Sequence, residues 1–348
     1  MTGPAFSSHE FLPRSVVGRI TDLRVSDPRR VEAAAARRRR RDSLTSDGRL
    51  NLLAADHPAR RVTAVGGDPL AMADRHDYLA RVVRVLLSGA VDGVMATMDL
   101  LEDLLLLGEL LRESGGPAFL DRKLLIASLN RGGLAGASWE LDDPITGADI
   151  ETVRRFGLDG GKLLLRIGDD DAGSLRTMVA CAESISRLNE LGLPTFLEPL
   201  PVERGPQGLK VLKEAGALAR AAGVASALGS SSRYLWLKLP YCEGYERVAR
   251  STTLPILLLG GESAGDPKPF LAAVAGALAA GSAVRGALVG RNVLYPGNRD
   301  PLVVARAVDG IIHRGWSEEQ AARSLDEGDE SAPGGAATDL DAVTRWVT

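Results

Sequence analysis

Lys238 is a lysine within an apolar, strand-like segment, YLWLKLPY. Only six of the 42 basic residues are lysines, so the chain uses arginine wherever a plain positive charge suffices. Alternation along a strand places Trp236 and Lys238 on one face and three leucines on the other. Burial disfavours the ammonium form and lowers a lysine pKa, which leaves an amine able to attack a carbonyl carbon. Lys238 is therefore a candidate nucleophile, and the alternative is a structural lysine paired with a buried carboxylate.

Three more ionisable residues stand in neighbouring apolar segments. Lys162 opens GGKLLLRI, where it could activate Lys238 or pair structurally with a carboxylate. Glu198, in PTFLEPLP, could act as a general acid and base or form a salt bridge at the rim. Asp56, in LLAADHPAR, could orient a substrate hydroxyl group or cap the next turn. His57 follows it, but the four histidines lack the spacing of metal ligands, so we expect no metal site.

Two glycine-containing segments near the end of the chain suit an anion. The first contains Gly260 and Gly261 in LLLGGES, and the second contains Gly290, Arg291 and Asn292 in ALVGRNV. Glycine lets backbone N–H groups approach a phosphate, and arginine offers a charged bidentate donor. The pair predicts a phosphate site, and the alternative is that these are ordinary turn glycines.

Eight short apolar segments alternate with helical patterns between about residues 50 and 312. The predicted strands are Leu50–Asp56, Val91–Thr97, Lys123–Asn130, Gly161–Ile167, Pro194–Leu200, Tyr234–Pro240, Pro255–Gly261 and Arg285–Arg291. A helix is expected over LKVLKEAGALARAAG, in which apolar residues recur at intervals of three and four residues. This rhythm predicts an α/β fold, a (β/α)8 TIM barrel with catalytic groups at the carboxyl ends of its strands. A doubly wound sheet is the competitor, but NLLAADHPARR lacks the glycine-rich fingerprint of its first turn.

Composition excludes several classes of protein. The 348 residues are 45% hydrophobic with a net charge of −3, so the chain can bury a core and has no general attraction to nucleic acid or membranes. Two cysteines give no disulfide framework, and the N-terminus does not read as a secretory signal. We expect a cytoplasmic protein without a membrane partner.

The two ends of the chain fall outside the alternation of strands and helices. We therefore predict three parts: an N-terminal extension (1–48), a barrel (49–315) and a C-terminal helix with an exposed tail (316–348). The extension contains VEAAAARRRRR, predicted to be helical. Its run Arg37–Arg41 could bind nucleic acid or phosphate, but no aromatic residues accompany it. The favoured interpretations are a solvated helix face or a subunit contact in a homo-oligomer.

Three segments of the barrel resemble those of a known enzyme superfamily. GGKLLLRIGDDD, FLEPL and LWLKLPY look like the segments that carry a strand-four lysine, a strand-five glutamate and a strand-six Schiff-base lysine in tagatose-bisphosphate-type aldolases. The Asp-His pair and the GG…GRNV loops resemble archaeal-type class I fructose-bisphosphate aldolases. The chain is thus similar to the class I aldolases of the deoxyribose-phosphate/tagatose-bisphosphate superfamily, and to an actinobacterial branch of aldolase-like barrels.

The resemblance implies a metal-independent and cofactor-free lyase that acts on a phosphorylated keto-sugar. Lys238 would form the Schiff base, Glu198 with Lys162 would move protons, and Asp56 would orient a hydroxyl group. The strand-five tyrosine of the archaeal-type enzymes is absent, so Glu198 would take its role. The substrate implied is a deoxy-keto-gluconate phosphate of inositol breakdown or a ketose bisphosphate. Other Schiff-base reactions (transaldol or acyl transfer, dehydration) and a non-catalytic phosphosugar sensor remain open.

Overall fold

Eight parallel strands close into a barrel surrounded by helices, as the sequence predicts. The structure is a computed structural model that describes residues 6–206 and 208–327, with Val343 and Trp346. Around the barrel the strands follow chain order, and the last strand pairs with the first. The strands are β1 Leu50–Ala55, β2 Gly93–Ala96, β3 Leu124–Ser128, β4 Gly160–Ile167, β5 Thr195–Gly205, β6 Gly208–Val211, β7 Leu235–Pro240, β8 Ile256–Leu259 and β9 Val284–Val289.

The helices lie between the strands and at both ends of the chain. Aspartates at the start of several of them accept hydrogen bonds from free backbone N–H groups, as Asp74, Asp149, Asp171 and Asp300 do. The helices are α1 Ser8–Phe11, α2 Ser15–Ser26, α3 Arg30–Arg37, α4 Arg75–Leu86, α5 Met98–Glu113, α6 Ile150–Arg155, α7 Ala172–Glu190, α8 Ala215–Ser226, α9 Tyr245–Ala249, α10 Lys268–Ala279, α11 Arg291–Leu294, α12 Pro301–His313 and α13 Glu318–Glu327.

Side chains alternate between the barrel interior and the helix layer. On β7, the three leucines pack into the cluster beneath the helices, whereas Trp236 packs into the interior. Phe196 of β5 lies in the same interior cluster and contacts Trp236. This alternation confirms the predicted faces and directs Lys238 and Glu198 into the barrel.

A β-hairpin follows β5 that the sequence analysis did not predict. β5 continues to Gly205 and pairs antiparallel with β6. The predicted helix over LKVLKEAGALARAAG was wrong at its start, because Leu209–Val211 belong to β6 and α8 begins only at Ala215. The spacing of the apolar residues here is compatible with a helix or a strand. The strand forms because Leu209 and Val211 pack over the upper barrel interior.

The arginine run lies against the barrel floor, the end opposite the candidate site. The helix predicted there was wrong in its second half, because α3 ends at Arg37 and Arg38–Arg41 are not helical. Arg38 and Arg40 both bind Asp159 at 2.9 Å, and each of the other three arginines also forms an ion pair with a carboxylate. Arg38 is buried, so the run is not a single solvated face; its charges hold the N-terminal segment to the barrel.

The C-terminal helix predicted within residues 316–348 is present as α13. Of the predicted exposed tail, residues 328–342, 344, 345, 347 and 348 lie outside the described residues. Over the part of the chain that the structure describes, no helix combines the length and apolar character needed to cross a bilayer.

Candidate active site

Two lysines and a glutamate meet inside the barrel mouth, on three neighbouring strands. Oε2 of Glu198 lies 2.7 Å from Nζ of Lys162 and 3.0 Å from Nζ of Lys238. The strand register explains why these side chains meet. On β4, Leu164 lies opposite Glu198, so Lys162 is two residues away on the same face, and β7, which carries Lys238, pairs with β5 on its other side. All three side chains are buried, with exposed fractions below one tenth. One carboxylate oxygen therefore bridges two amines.

Both Lys162 and Glu198 have pKa values below their usual ranges, for different reasons. Burial lowers the pKa of Lys162 to about 8, although the carboxylates of Glu198 and Asp56 oppose the shift. Burial alone would raise the pKa of Glu198, but the two ammonium groups hold it well below its usual range. Glu198 is therefore ionised at neutral pH, whereas Lys162 titrates within reach of physiological pH.

Asp56 belongs to the same cluster, at the end of β1. Its Oδ2 atom lies 3.6 Å from Nζ of Lys162, accepts a hydrogen bond of 3.0 Å from the Ser128 hydroxyl group, and forms an ion pair with Arg131. Burial would raise the pKa of Asp56, but Arg131 and Lys162 hold it well below the usual range. Asp56 faces the barrel mouth and does not cap the following helical turn. That turn spans Pro58–Arg60, and His57, not Asp56, occupies its N-cap position.

The sequence analysis missed a group of buried arginines around the loop that follows β3. Arg60 donates to the Gly133 carbonyl oxygen at 2.8 Å and pairs with Asp143. Arg166, on the interior face of β4, also donates to that oxygen at 2.8 Å and pairs with Glu140. The available signal was the position of RGG (131–133), directly after the third predicted strand, where barrels place functional groups.

The predicted phosphate loops lie side by side after β8 and β9. The Asn292 side chain donates to the Gly260 carbonyl oxygen at 2.6 Å, which ties the two loops together. Arg291 lies 3.7 Å from Glu262, and its buried Nε atom has no hydrogen-bond partner among the described residues. Gly261 has a φ of 74°, a left-handed conformation that favours glycine. A cavity of about 340 Å³ adjoins the loops, and Arg61 and Arg291 are among its lining residues.

His57 lies between the Asp56 side and the phosphate loops. Burial lowers the pKa of His57 to about 4, so the ring is neutral at physiological pH. A Cβ atom at Gly290 would overlap this ring and the Ala54 carbonyl oxygen, so only glycine fits there. Within the described residues, no group of three histidine, cysteine, aspartate or glutamate side chains is arranged to hold a metal ion.

Two solved aldolases share the fold of this chain at low sequence identity. One is a Schiff base forming fructose-1,6-bisphosphate aldolase, with a TM-score of 0.57 and 22% identity over 81% of this chain and 100% of that chain. The other is an archaeal fructose-1,6-bisphosphate aldolase with its catalytic lysine bound to the carbinolamine intermediate, with a TM-score of 0.56 and 22% identity over 81% and 99%. The structural neighbours are thus class I aldolase barrels.

A nearer relative is the crystal structure of Cgl0159 from Corynebacterium glutamicum. Its TM-score is 0.81, and its sequence is 36% identical over 88% of this chain and 99% of that chain. A family model described as Cgl0159-like matches residues 48–312, which span the barrel. The chain belongs to the Cgl0159-like family.

Proposed function

We propose that the protein is a class I aldolase that cleaves or forms a C–C bond in a phosphorylated keto-sugar through a Schiff base on Lys238. The observation that carries this proposal is the contact of one Glu198 oxygen with both buried amines. A nucleophilic amine must lose a proton before attack, and the departing water must gain one. A carboxylate between two lysines can do both.

Lys238, once its proton has passed to Glu198, attacks the ketone carbon and forms a carbinolamine. Glu198 returns a proton to the hydroxyl group, water leaves, and an iminium ion remains. A carboxylate then removes the proton from the hydroxyl group of the substrate, and we assign this step to Asp56. The C–C bond breaks as its electron pair moves to the iminium nitrogen, which gives an aldehyde and an enamine. Protonation of the enamine carbon and hydrolysis of the imine release the second product and restore Lys238.

The substrate phosphate is assigned to the loops after β8 and β9. Arg291 supplies an incompletely partnered guanidinium group, and Gly260, Gly261 and Gly290 let backbone N–H groups approach the anion. Phosphate sites after the seventh and eighth strands are frequent in (β/α)8 barrels. Within phosphosugars, the candidates are a deoxy-keto-gluconate phosphate of inositol breakdown and a ketose bisphosphate.

The fold supports this chemistry, since an archaeal aldolase of similar fold carries a carbinolamine on its catalytic lysine. The test is borohydride reduction with a panel of keto-sugar phosphates, followed by peptide mass mapping and an assay for aldehyde release. We expect an adduct on Lys238 and release of an aldehyde. An adduct on Lys162 would reassign the nucleophile, and an adduct without aldehyde would favour another Schiff-base reaction.

A phosphosugar sensor is the competing function. It would bind the same ligands and gain thermal stability from them, but it would form no reducible adduct. Thermal stabilisation without any adduct would therefore overturn the aldolase proposal.

A further inference from the structure

Arg61 is a second arginine beside the predicted phosphate loops. It lies in the loop after β1 and lines the same cavity of about 340 Å³ as Arg291 and Glu262. Its side chain is exposed and forms neither an ion pair nor a side-chain hydrogen bond with any of the described residues. The cavity therefore contains a guanidinium group that is free to bind a ligand.

The backbone at Arg61 adopts a left-handed conformation, with a φ of 63°. Non-glycine residues disfavour this conformation, and residues held in it cluster at ligand sites. Contacts on both sides of the bond fix the turn. The Arg61 N–H group donates to the Pro58 carbonyl oxygen at 3.0 Å, and the Arg60 side chain donates to the Gly133 carbonyl oxygen at 2.8 Å. The fold thus maintains an unfavourable backbone conformation at a residue that lines the cavity.

Arg291, on the other side of the cavity, has only a loosely held counter-ion. Its Nη1 atom lies 3.7 Å from Oε1 of Glu262, whose side chain is 87% exposed. The Arg291 side chain is largely buried, and its Nε atom has no hydrogen-bond partner among the described residues. An ion pair of this length with an exposed carboxylate contributes little to stability. Glu262 can therefore leave Arg291 at small cost.

Formal charges show which ligand this cavity suits. Arg61 and Arg291 carry two positive charges, and Glu262 carries the one negative charge among the lining residues. A phosphate monoester carries close to two negative charges at neutral pH, so it balances the two arginines once the carboxylate has moved away. We infer that Arg61 and Arg291 bind the phosphate of the substrate together and that Glu262 is a counter-ion which the phosphate displaces. This inference rests on the proposed phosphate site.

The sign of the effect of Glu262 separates two roles. If Glu262 is a displaced counter-ion, its removal leaves the arginines without a competing anion, and phosphate binds more tightly. If Glu262 instead orients Arg291 for the ligand, its removal weakens phosphate binding. A single substitution, Glu262→Gln, therefore distinguishes competition from positioning.

The first measurement is the Kd of inorganic phosphate for the full-length protein, by titration calorimetry at low ionic strength. We expect Glu262→Gln to lower this Kd by about two- to tenfold. Arg61→Met should raise it by about tenfold, and Arg61→Lys, which keeps the charge without the parallel donors, should recover part of the loss. Both substituted side chains are exposed, so the variants should fold as the wild type does.

Glu203→Gln and Arg204→Met are the matched controls. Each removes one charge from an exposed side chain on β5, away from the cavity. The phosphate Kd should stay within about twofold of the wild-type value in both, because solvent screens distant exposed charges. A general effect of net charge would instead move the controls as far as the two test variants.

The second measurement connects the cavity to the substrate. Borohydride trapping on Lys238 is followed at subsaturating concentrations of a ketose monophosphate and of the same ketose without phosphate. We expect Arg61→Met to slow trapping of the phosphate ester by about tenfold and to change trapping of the free ketose by less than about twofold. An equal loss on both sugars would mean that Arg61 does not act on the phosphate.

The outcomes separate this inference from the aldolase function. It is overturned by the absence of phosphate binding to the wild type, by an unchanged Kd in Arg61→Met, or by weaker binding in Glu262→Gln. In each of these cases, trapping on Lys238 would leave the aldolase proposal standing. Phosphate binding with the expected signs but no trapping with either sugar would support the two arginines as the phosphate site and overturn the aldolase in favour of the sensor.

Discussion

Replacing Glu198 by glutamine removes the negative charge that bridges the two buried lysines. Stranding a buried charge costs about 3–5 kcal/mol of stability. The structure offers a cheaper response, because the pKa of Lys162 is about 8 and removing its proton at pH 7 costs about 1.4 kcal/mol. We therefore expect Glu198→Gln to remain folded, with a free energy of unfolding lowered by about 1–2 kcal/mol rather than 3–5 kcal/mol.

Turnover should suffer far more than stability. The amide cannot accept the proton of Lys238 or return it to the departing water, so we expect aldehyde release to fall by about 10²- to 10⁴-fold. Loss of the carboxylate removes a negative charge that favours the ammonium form of a neighbouring lysine, so the pH profile of borohydride trapping should move to lower pH. Urea denaturation at pH 7, steady-state kinetics and trapping across a pH series measure the three effects.

Glu203→Gln is the matched control. Glu203 lies on the same strand but is half-exposed and pairs with the exposed Lys210 at 3.5 Å, so its loss should change none of the three. Wild-type turnover in Glu198→Gln would refute its role in proton transfer. A destabilisation of about 3 kcal/mol or more, with an unmoved pH profile, would refute the reasoning that a lysine gives up its proton.

The other predictions concern single groups. Lys238→Met should abolish borohydride trapping, whereas Lys210→Met, at an exposed lysine, should retain it. Burial would lower the pKa of His313, but hydrogen bonds to two aspartates raise it to about 9, so its stabilising effect is present below its unfolded value of about 6.5 and is lost as the pH rises towards 9. Urea midpoints of wild type and His313→Gln should therefore differ at about pH 6 and converge at about pH 9.5. Gly290→Ala should lower the free energy of unfolding by about 1–3 kcal/mol, since a Cβ atom would overlap the Ala54 carbonyl oxygen.

Period-two alternation made the barrel and its interior lysines predictable. Each predicted strand overlaps an observed one, because a strand buried on both sides needs an apolar run that breakers end. The same alternation predicted that Lys238 lies on the interior face of β7, since three leucines occupy the opposite face of that strand. The register that joins Lys162 to Glu198 was not predictable, because it depends on pairing between separate strands.

The arginines around the loop after β3 had no comparable signal. Arg131 lies outside any strand or helix, so no periodicity constrains where its side chain goes, and the chain contains many arginines. The run Arg37–Arg41 posed the converse problem. Its charge was obvious from sequence, but its carboxylate partners, such as Asp159, come from distant segments of the chain. Local sequence gives the charge of a side chain and leaves its partner to the tertiary fold.

The imbalance of charge at the mouth argues against a purely structural role for its lysines. A structural cluster is most stable when its buried charges cancel, because each uncompensated ion costs several kcal/mol. Here Lys162, Lys238 and Arg131 exceed Asp56 and Glu198 by one charge, and the excess disappears if one lysine is neutral or an anion binds. Schiff-base chemistry requires a neutral lysine, since only an amine that has lost its proton can attack a carbonyl carbon. The charge imbalance that costs stability is therefore the one that favours a neutral, nucleophilic lysine.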